Sequence, residues 1–386
     1  MNTRHGSYIL MLPKWYPDKL DPQFGVFIQK QALAISRKRK IIVCSFHAHT
    51  DTKKAHFLPE ANKHDNLIEY RIYYKKDSSL FSPVLNAIRY YKAWSEAKKI
   101  ILAEHGTPEL IHAYILLRPA ILAYISSKQF GVPMLVSEQW SGYTNGKFSA
   151  RPALIRYLSK FVFRKAHART AVSQFLKTNM EKLGFAKPIE VIPNVIEIQD
   201  PKIRTPSEEI NILLVADLVD EIKNISGVIV SFSEALVQFP NLRLRIIGHG
   251  KDELKLKSMA AQLGLPESVV QFDGLKSNSE VYEALWNCDF LVMNSRFETF
   301  SLICAEALSC GKPVIATRCG GPEEFIDESN GILIPVDDTK ALTEAILRMS
   351  KSYKAYSPKL LQERAMMRFN SESIGKRFEE LYSAIV

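Results

Sequence analysis

The sequence predicts an α/β protein with two doubly wound domains in tandem, each a parallel sheet with helices on both faces. The chain has 386 residues, which is enough for two hydrophobic cores. Short apolar runs alternate with amphipathic runs of helical length, the pattern typical of parallel strands joined by crossover helices. The alternation stops at residues 191–209, a segment with three prolines, and then restarts. We therefore predict a linker there.

The first half of the chain predicts an N-terminal domain over residues 1–200. Its strands are predicted at four apolar runs, "SYILML", "IIVCSF", "ELIHAY" and "PMLVSE". Its helices are predicted at "GVFIQKQALAISRKRK", "SPVLNAIRYYKAWSEAKKIILAEHG" and "RPAILAYISSKQF", and over residues 151–169.

The second half predicts another domain of the same type over residues 201–370. Five apolar runs predict its strands: "INILLVADL", "LRLRIIG", "VVQFDG", "DFLVMN" and "PVIAT". Helices are predicted near residues 224–238, 251–262, 279–286 and 300–310. Ligands of such sheets bind beyond the carboxyl ends of the strands, so we expect the active site in a cleft between the two domains.

Composition places the chain among ordinary globular proteins, with 46% hydrophobic and 24% charged residues. No apolar run reaches membrane-spanning length, and the N-terminal run before Pro13 is too short for a signal peptide. The five cysteines are odd in number and lack Cys-x-x-Cys spacing, which favours neither a disulfide framework nor a zinc site. We therefore expect a cytoplasmic protein with small buried thiols.

Charge is divided unevenly along the chain. Residues 1–200 carry 30 Lys and Arg against 15 Asp and Glu, whereas residues 201–386 carry 21 against 26. The basic half points to an anionic partner, either a membrane surface, a phosphorylated substrate or nucleic acid. Solubility alone is the alternative explanation. No stacking or base-recognition motif supports nucleic acid, and we expect no nucleic-acid partner.

Two glutamates eight residues apart, Glu298 and Glu306, flank the predicted start of a helix near Phe300. Their backbones would be roughly 9–12 Å apart at about 1.5 Å rise per residue. An acid–base pair of the glycosidase type is therefore not favoured, because its carboxyl groups lie about 5–9.5 Å apart. Taken singly, each glutamate fits an ordinary helix charge or a solvated position.

The residues between the two glutamates favour one extended ligand. Backbone amides at a helix N-terminus bind anions, and these amides belong to Thr299, Phe300, Ser301 and Leu302. Carboxylates accept hydrogen bonds from hydroxyl groups. Two carboxylates around a phosphate site match the sugar, diphosphate and ribose of a nucleotide sugar.

At these residues the sequence resembles the retaining glycosyltransferase family 4. The motif elements are Glu298-x7-Glu306, "EALSCGKPVIAT" and Gly320-Gly321, together with "LRIIGHG", "VIPNV" and "AVSQFLKTNMEKLG". The resemblance extends over nearly the whole chain. It implies a GT-B fold, in which two Rossmann-like domains enclose the donor cleft, and transfer without a metal. It also implies that a C-terminal helix, about residues 371–386, completes the first domain.

The same resemblance assigns roles around the donor. Glu306 would hold the ribose hydroxyls, Glu298 the transferred sugar and the helix amides the diphosphate. Lys223 matches the family lysine that balances phosphate charge, with an exposed loop lysine as the alternative. His249, after Gly248, would line the nucleotide side or have no role. One departure is Asp217, which stands where the family often has a phosphate-binding arginine and would repel phosphate unless it pairs with Lys223.

The resemblance also implies candidates in the first domain. Gly25 is the candidate for a loop near the donor phosphates, and a simple loop bend is almost equally favoured. His112 in "ELIHAY" matches a family histidine. Glu138 and Gln139 in "LVSEQWSGY" match a catalytic segment, although Gln139 replaces a histidine and can only exchange hydrogen bonds. Glu138 is a candidate base, with a loop-capping carboxylate as the alternative.

The predicted helix over residues 151–169 is amphipathic and basic. Arg151, Arg156, Lys160, Arg164 and Lys165 lie among apolar residues. A core-facing helix with a solvated basic side is favoured, and contact with the anionic inner face of the plasma membrane is the second interpretation.

The function these observations predict is retaining transfer of a hexose-type sugar from a nucleotide diphosphate sugar, UDP- or GDP-linked, to a glycan or lipid-linked glycan acceptor in bacterial surface-polysaccharide assembly. We expect no metal and no other cofactor. Two alternatives stay open. One is an epimerase or phosphorylase on the same fold, and the other is a catalytically weak sugar-nucleotide-binding scaffold, which Asp217 and Gln139 would fit.

Overall fold

The computed structural model describes residues 7–19, 21–49, 59–79, 82–197 and 207–386. The chain forms two compact units, which are described separately. Unit 1 comprises Met1–Val172, Lys177–Val195 and Ser371–Val386, and unit 2 comprises Ser173–Leu176 and Ile196–Asn370. The predicted domain boundary between residues 200 and 201, and most of the C-terminal part of the predicted linker, lie outside the described residues.

The sheet of unit 1 is parallel except at one edge. Within the described residues its strands are ordered β3-β4-β2-β1-β5-β6-β7-β8, and only β3 is antiparallel to its neighbour. The strands are β1 (Ile9–Pro13), β2 (Ile41–His49), β3 (Pro59–His64), β4 (Leu67–Lys75), β5 (Leu110–Tyr114), β6 (Met134–Glu138), β7 (Ala168–Ala171) and β8 (Glu190–Val191). Strand order reverses between β1 and β5, which is the place where such sheets bind ligands.

The helices of the first half follow the predicted order. They are α1 (Val26–Ser36), α2 (Ser82–His105), α3 (Arg118–Phe130), α4 (Ala153–Lys165) and α5 (Gln174–Lys182). The prediction of one helix over residues 151–169 is wrong at its end, because α4 stops at Lys165 and the chain continues into β7. Ala168 and Ala171 are buried where β7 pairs with β6, so tertiary pairing overrides the local helical pattern.

The last described segment completes the core of unit 1. Helix α13 (Ser371–Ile385) buries Ile374, Phe378 and Tyr382 in the same cluster as β1 and α1. Gly375 allows α13 to approach α1 closely, because a Cβ there would lie 2.6 Å from the carbonyl oxygen of Ala34. An apolar face of α13 thus fills space that the earlier part of the chain leaves open.

Unit 2 contains a sheet whose strand pairs are all parallel. In the described part of the chain the order is β11-β10-β9-β12-β13-β14, and it reverses between β9 and β12. The strands are β9 (Ile210–Val215), β10 (Leu242–Ile247), β11 (Val270–Phe272), β12 (Phe290–Met293), β13 (Val314–Thr317) and β14 (Gly331–Ile334). The five predicted strands of this half are confirmed.

The helices of unit 2 cover its sheet. They are α6 (Asp220–Lys223), α7 (Ile225–Gln238), α8 (Glu253–Gln262), α9 (Asn278–Asn287), α10 (Leu302–Ser309), α11 (Thr339–Ser352) and α12 (Pro358–Phe369). A core of aliphatic side chains from β9, β10 and α7 lies between the layers. The two-domain α/β architecture predicted from the sequence is therefore present.

Two further findings concern the whole described chain. All five cysteines are free and buried, as predicted, and burial raises the pKa of Cys310 and Cys319 to about 12. No helix in the described ranges is both long and apolar enough to cross a lipid bilayer.

Candidate functional site

The site in unit 2 lies at the carboxyl ends of β9 and β12, where the strand order reverses. A small cavity of about 20 Å³ is present there. Its polar lining comes from Lys223, Asn294, Ser295 and Glu298, and Ile303 of α10 also lines it. Parallel sheets bind ligands at this position because the loops after the two strands diverge to opposite faces.

An ion pair between Lys223 and Glu298 crosses this site. Lys223 Nζ lies 2.6 Å from Glu298 Oε1, and the side chains are 22% and 16% exposed. Burial alone would lower the pKa of Lys223, but the charge and hydrogen bond of Glu298, with the charge of Asp217, raise it. Ser295 Oγ also donates to Glu298 Oε1, at 2.9 Å. Among the described residues both side-chain contacts of this carboxylate use Oε1, so Oε2 faces none of these donors.

The short helix α6, which ends at Lys223, is held by hydrogen bonds from residues that follow β12. Arg296 Nη1 donates to the carbonyl oxygens of Asp220 and Glu221 at 2.7 and 3.0 Å. Asn294 Nδ2 donates to the carbonyl oxygen of Asn224 at 3.0 Å. Asn224 itself is left-handed, with φ 46°, and ends α6. Lys223 belongs to a helix and its side chain is 22% exposed, so the alternative of an exposed loop lysine is wrong.

Helix α10 begins at Leu302, two residues later than predicted. Ser301 has φ 70°, so the chain is left-handed immediately before the helix. Phe300 is buried, with ring centroids 5.5 Å from Phe325 and 5.3 Å from Phe369. Packing of this ring, and not helix propensity, sets the start. The first amides of α10 have no intrahelical acceptor.

The Gly-Gly pair packs against the residues before α10. A Cβ on Gly321 would lie 2.4 Å from the carbonyl oxygen of Thr299 and 2.5 Å from the nitrogen of Phe300. A Cβ on Gly320, where φ is 118°, would lie 2.3 Å from the ring of Phe175. Only glycine permits this approach, which fixes the backbone between Glu298 and α10.

Glu306 is buried on α10, with 7% of the residue exposed. The alternative of a solvated helix position is therefore wrong. Burial raises the pKa of Tyr282 on α9, and the charge of Glu306 raises it further, so the two side chains are close. Ribose hydroxyls stay the predicted ligand for Glu306.

The loop after β10 packs tightly on the loop after β9. Gly248 has φ 144°, and a Cβ there would lie 1.8 Å from the carbonyl oxygen of Ala216. The amide of Leu218 donates to the carbonyl oxygen of His249 at 2.9 Å. The side chain of His249 is 73% exposed and lies 2.9 Å from Glu253 Oε2. Asp217 is also exposed and acts on Lys223 through its charge, while the contact of Lys223 is with Glu298.

In unit 1 His112, which was predicted as a catalytic residue, lies in the buried core, and its catalytic role stays a prediction. The residue has no exposed surface, and burial lowers the pKa of its imidazole to about 3. Its Nδ1 lies 2.7 Å from the hydroxyl of Tyr382 and its Nε2 lies 2.7 Å from Ser137 Oγ. Both nitrogens therefore have partners inside the core.

The hydrogen bonds of Glu138 match its alternative interpretation, a carboxylate that caps a loop. Its oxygens accept hydrogen bonds from the amides of Leu116, Gln139 and Trp140 at 2.8–3.1 Å and from the hydroxyl of Tyr143 at 2.9 Å. Burial raises its pKa, and these bonds oppose that change. A fully buried carboxylate with four donors holds the loop after β6, and a role for Glu138 as a base stays a prediction.

Gln139 lies in the same loop after β6, and Gly25 lies in the loop before α1. Gln139 Nε2 donates to Gln31 Oε1 at 3.3 Å. Gly25 has φ 77° and precedes α1, and a Cβ there would lie 2.5 Å from the carbonyl carbon of Trp15. This close approach is sufficient reason for glycine. Roles for Gln139 and Gly25 in catalysis or donor binding stay predictions.

Helix α4 faces the core as predicted. It buries Ser159, Val162 and Phe163 and exposes Leu154 and Tyr157. Contact of its exposed side with a membrane stays a prediction.

A larger cavity in unit 1 brings Lys14 and Arg118, which were not predicted as site residues, together with Arg151 of the predicted basic helix. Its volume is about 670 Å³, and Lys14, Arg118 and Arg151 line it. Lys14 directly follows β1, and Arg118 lies shortly after the end of β5. The strand order of the sheet reverses between these two strands. Basic residues after strand ends were a signal that could have revealed them.

Two family models match the chain. The model described as "Glycosyltransferase Family 4" matches residues 61–200, and the model described as "Glycosyl transferases group 1" matches residues 195–366. Together they extend from residue 61 to residue 366.

Individual proteins agree with these matches. The N-acetyl-alpha-D-glucosaminyl L-malate synthase of Bacillus anthracis is 24% identical over 301 residues, which cover 74% of this chain and 77% of that protein. The lipopolysaccharide core biosynthesis glycosyltransferase LpsE of Rhizobium meliloti is 26% identical over 191 residues, which cover 48% of this chain and 54% of that protein.

A solved structure shares the fold over nearly the whole length. The HepE protein of Anabaena, in complex with UDP and glucose, has a TM-score of 0.74 at 18% identity, covering 98% of this chain and 100% of that chain.

Proposed function

We propose, from the premise that this chain belongs to the family 4 type of glycosyltransferases with the GT-B fold, that it transfers a sugar with retention from a nucleotide diphosphate sugar. The donor is UDP- or GDP-linked, the acceptor is a glycan or lipid-linked glycan, and no metal or other cofactor takes part. The reaction serves bacterial surface-polysaccharide assembly. The solved relative bound to UDP and glucose and the lipopolysaccharide relative support this proposal.

The observation that carries the proposal is the ion pair at the start of α10. Glu298 is oriented by Lys223 and Ser295 through Oε1 alone. Its Oε2 can then accept a hydrogen bond from a hydroxyl of the transferred sugar. Lys223 Nζ has three donors and can also approach the donor phosphates as a point cation.

The other roles follow along the same segment. The first amides of α10 bind the diphosphate, because a helix N-terminus combines free donors with a favourable dipole. Glu306, buried one turn into α10, accepts hydrogen bonds from the ribose hydroxyls. The donor thus lies along the N-terminal part of the helix from Glu298 to Glu306.

The proposed reaction is a substitution on one face of the sugar. The bond between the anomeric carbon and the β-phosphate oxygen breaks, and the acceptor oxygen forms its bond to that carbon from the same face. The acceptor proton goes to the leaving phosphate oxygen. Lys223 and the α10 amides stabilise the negative charge that develops on the diphosphate.

The test separates the two glutamates. In Glu306→Gln we expect the Kd for UDP or GDP to rise about 10-fold, the loss of one hydrogen bond to a charged group. In Glu298→Gln we expect the transfer rate to fall about 100-fold, which corresponds to an activation free energy higher by about 2.7 kcal/mol. The Kd for the nucleotide should change less. Calorimetry gives the Kd, and product formation from a panel of UDP- and GDP-sugars gives the rate.

Glu283→Gln is the matched control, because Glu283 is an exposed glutamate on α9 of the same unit. Wild-type binding and transfer in both site variants would refute the assigned roles. NMR of the product anomer tests retention, and full activity in EDTA tests metal independence. Nucleotide binding without turnover on any donor would favour the scaffold alternative.

A further inference from the structure

The chain contains two Asn-Gly steps, Asn145-Gly146 in unit 1 and Asn330-Gly331 in unit 2. The two steps have the same covalent chemistry. A glycine after asparagine has no Cβ to crowd its own backbone nitrogen, which can then attack the carbonyl carbon of the asparagine side chain. Their surroundings in the fold differ, and this difference sets how readily each step can react.

The Asn145-Gly146 step lies open in the loop between β6 and α4. Asn145 is half-buried, whereas Gly146 and Lys147 are exposed. Gly146 has φ 79°, and a Cβ built there would meet no atom within 4 Å. Within the described residues no hydrogen bond engages the amide of Gly146 or the side-chain nitrogen of Asn145. The attacking nitrogen and the leaving nitrogen are therefore both accessible to water.

The side-chain oxygen of Asn145 does have a partner, and this contact favours the reaction. The amide of Lys147 donates to Asn145 Oδ1 at 3.3 Å. Attack on Cγ moves negative charge onto this oxygen, and a donor that already points at it stabilises that charge. The turn is ordered around the reacting atoms, because the amide of Ala150 donates to the carbonyl oxygen of Gly146 at 3.1 Å.

The Asn330-Gly331 step is held on every side. Asn330 is 6% exposed, its Nδ2 donates to the carbonyl oxygen of Phe325 at 2.8 Å, and its Oδ1 accepts from the amide of Asp327 at 2.9 Å. The amide of Gly331 donates to the carbonyl oxygen of Asp327 at 2.8 Å. A Cβ on Gly331 would lie 2.2 Å from the carbonyl oxygen of Val314. Reaction here would first have to break these hydrogen bonds and open the packing.

We propose that Asn145 is a site of spontaneous modification, at which the side-chain amide becomes a carboxylate by way of a cyclic imide with Gly146. The nitrogen of Gly146 loses its proton to solvent base and bonds to Cγ of Asn145. The bond between Cγ and Nδ2 then breaks, and ammonia leaves with a proton from water. Water next opens the imide at either of its carbonyl groups, which gives aspartate or isoaspartate.

In the balance of this reaction one water enters and one ammonia leaves, without an oxidant or an enzyme. The basic first half of the chain gains a negative charge at Asn145. The isoaspartate product also makes the backbone one carbon longer in the turn before α4. The fraction of modified chains would grow with the age of the protein. This inference goes beyond the proposed transferase function and does not depend on it.

The test compares the two steps within the same folded chain. The full-length protein is incubated at mildly alkaline pH for increasing times, digested with trypsin and analysed by mass spectrometry. We expect conversion at Asn145 to be at least about 10-fold faster than at Asn330, which corresponds to an opening free energy of at least about 1.4 kcal/mol at the held step. The rate at Asn145 should rise with hydroxide concentration, because the reaction begins with loss of the Gly146 amide proton.

The unfolded chain is the matched control. In concentrated urea at the same pH both steps lose their surroundings, so conversion at Asn330 should rise towards the rate at Asn145. Two variants identify the products in the folded protein. Asn145→Asp supplies the reference for the aspartate form in ion-exchange chromatography, and Asn145→Gln should remove the new acidic forms, since its longer side chain closes a ring less readily. Melting temperatures show that both variants are folded.

Three results would overturn the proposal. The first is an unchanged Asn145 in the folded protein, or equal rates at the two steps there. The second is a difference between the steps that persists in urea, because flanking residues and not the fold would then set the rates. The third is the appearance of the same acidic forms in Asn145→Gln, which would place the modification at another residue.

Discussion

Units 1 and 2 have similar sheets but differ in how positive charge is placed where the strand order reverses. In unit 2 the lysine at the sheet reversal is paired with Glu298 at 2.6 Å, beside a cavity of about 20 Å³. In unit 1 three cations surround a cavity of about 670 Å³ and act on one another with the same sign. Lys223 has a carboxylate in direct contact, whereas Lys14 is acted on by the charge of Glu138 and by the like charges of Arg151 and Arg118.

The largest effect is expected from Gly248→Ala, which should disrupt the unit 2 site alone. The new Cβ would lie 1.8 Å from a backbone oxygen at φ 144°, so we expect a loss of at least about 3 kcal/mol of unfolding free energy. Nucleotide binding should fall with it. Chemical denaturation and calorimetry measure both quantities.

Gly264→Ala is its control. Gly264 has φ 70° but open space around its Cβ position, and its replacement should cost about 1 kcal/mol. Equal stability losses in the two variants would show that the loop after β10 is not tightly packed.

The next effect concerns the ion pair. In a double-mutant cycle of Lys223→Met and Glu298→Gln, we expect a coupling of about 1–2 kcal/mol in unfolding free energy, because the pair is mostly buried. Either single variant leaves one partner without its contact, and the double variant should recover part of the loss. Additive losses would mean that the two side chains do not stabilise each other in solution.

The pH dependence should differ between the two lysines. The pKa of Lys14 is lowered and that of Lys223 is raised, relative to an ordinary lysine at 10.5. Lys14 binds fewer protons in the folded state, so its contribution to stability rises with pH between its lowered pKa and 10.5. The contribution of Lys223 is complete below 10.5 and is lost as pH rises through its higher folded pKa.

NMR titration of ¹³Cε-labelled lysines can test this order, with Lys14→Gln and Lys223→Gln used to assign the signals. Lys14 should titrate before the exposed lysines and Lys223 after them. The same pKa for both would remove the contrast between the two units.

The smallest expected effect is on stability when a cation leaves unit 1. Arg118→Gln should change the unfolding free energy by no more than about 0.5 kcal/mol, and in the stabilising direction, since repulsion and an unfavourable helix-end charge are removed. Thermal melts should show a higher melting temperature than the wild type for Arg118→Gln and a lower one for Lys223→Met. A clear destabilisation by Arg118→Gln would indicate that this arginine is structural.

The site of unit 2 was easier to predict from the sequence than that of unit 1, because its residues lie close together along the chain. Glu298, Glu306 and the Gly-Gly pair belong to one continuous stretch, and their motif spacing fixes them relative to α10. The start of α10 was missed because the packing of Phe300 against Phe325 and Phe369 depends on distant residues.

In unit 1 the important neighbours come from separate segments. Lys14, Arg118 and Arg151 meet only because of the strand order, which no local pattern contains. His112 matched a motif, but its place in a central strand buries it beneath α13, where it contacts Tyr382. The antiparallel pairing of β3 with β4 was also missed, because β3 itself, "PEANKH", is polar and has no apolar alternation.

Helix α13 completes the core of unit 1 but follows unit 2 in the sequence, and this order matters during protein synthesis. The ribosome must translate all of unit 2 before it reaches Ile374, Phe378 and Tyr382, which fill the core of unit 1. The usual order, in which N-terminal domains fold first as they emerge, cannot be completed here. Nascent unit 1 will therefore expose the apolar surface of α1 and β1 while unit 2 is being made, and it should depend on chaperones for longer than unit 2 does.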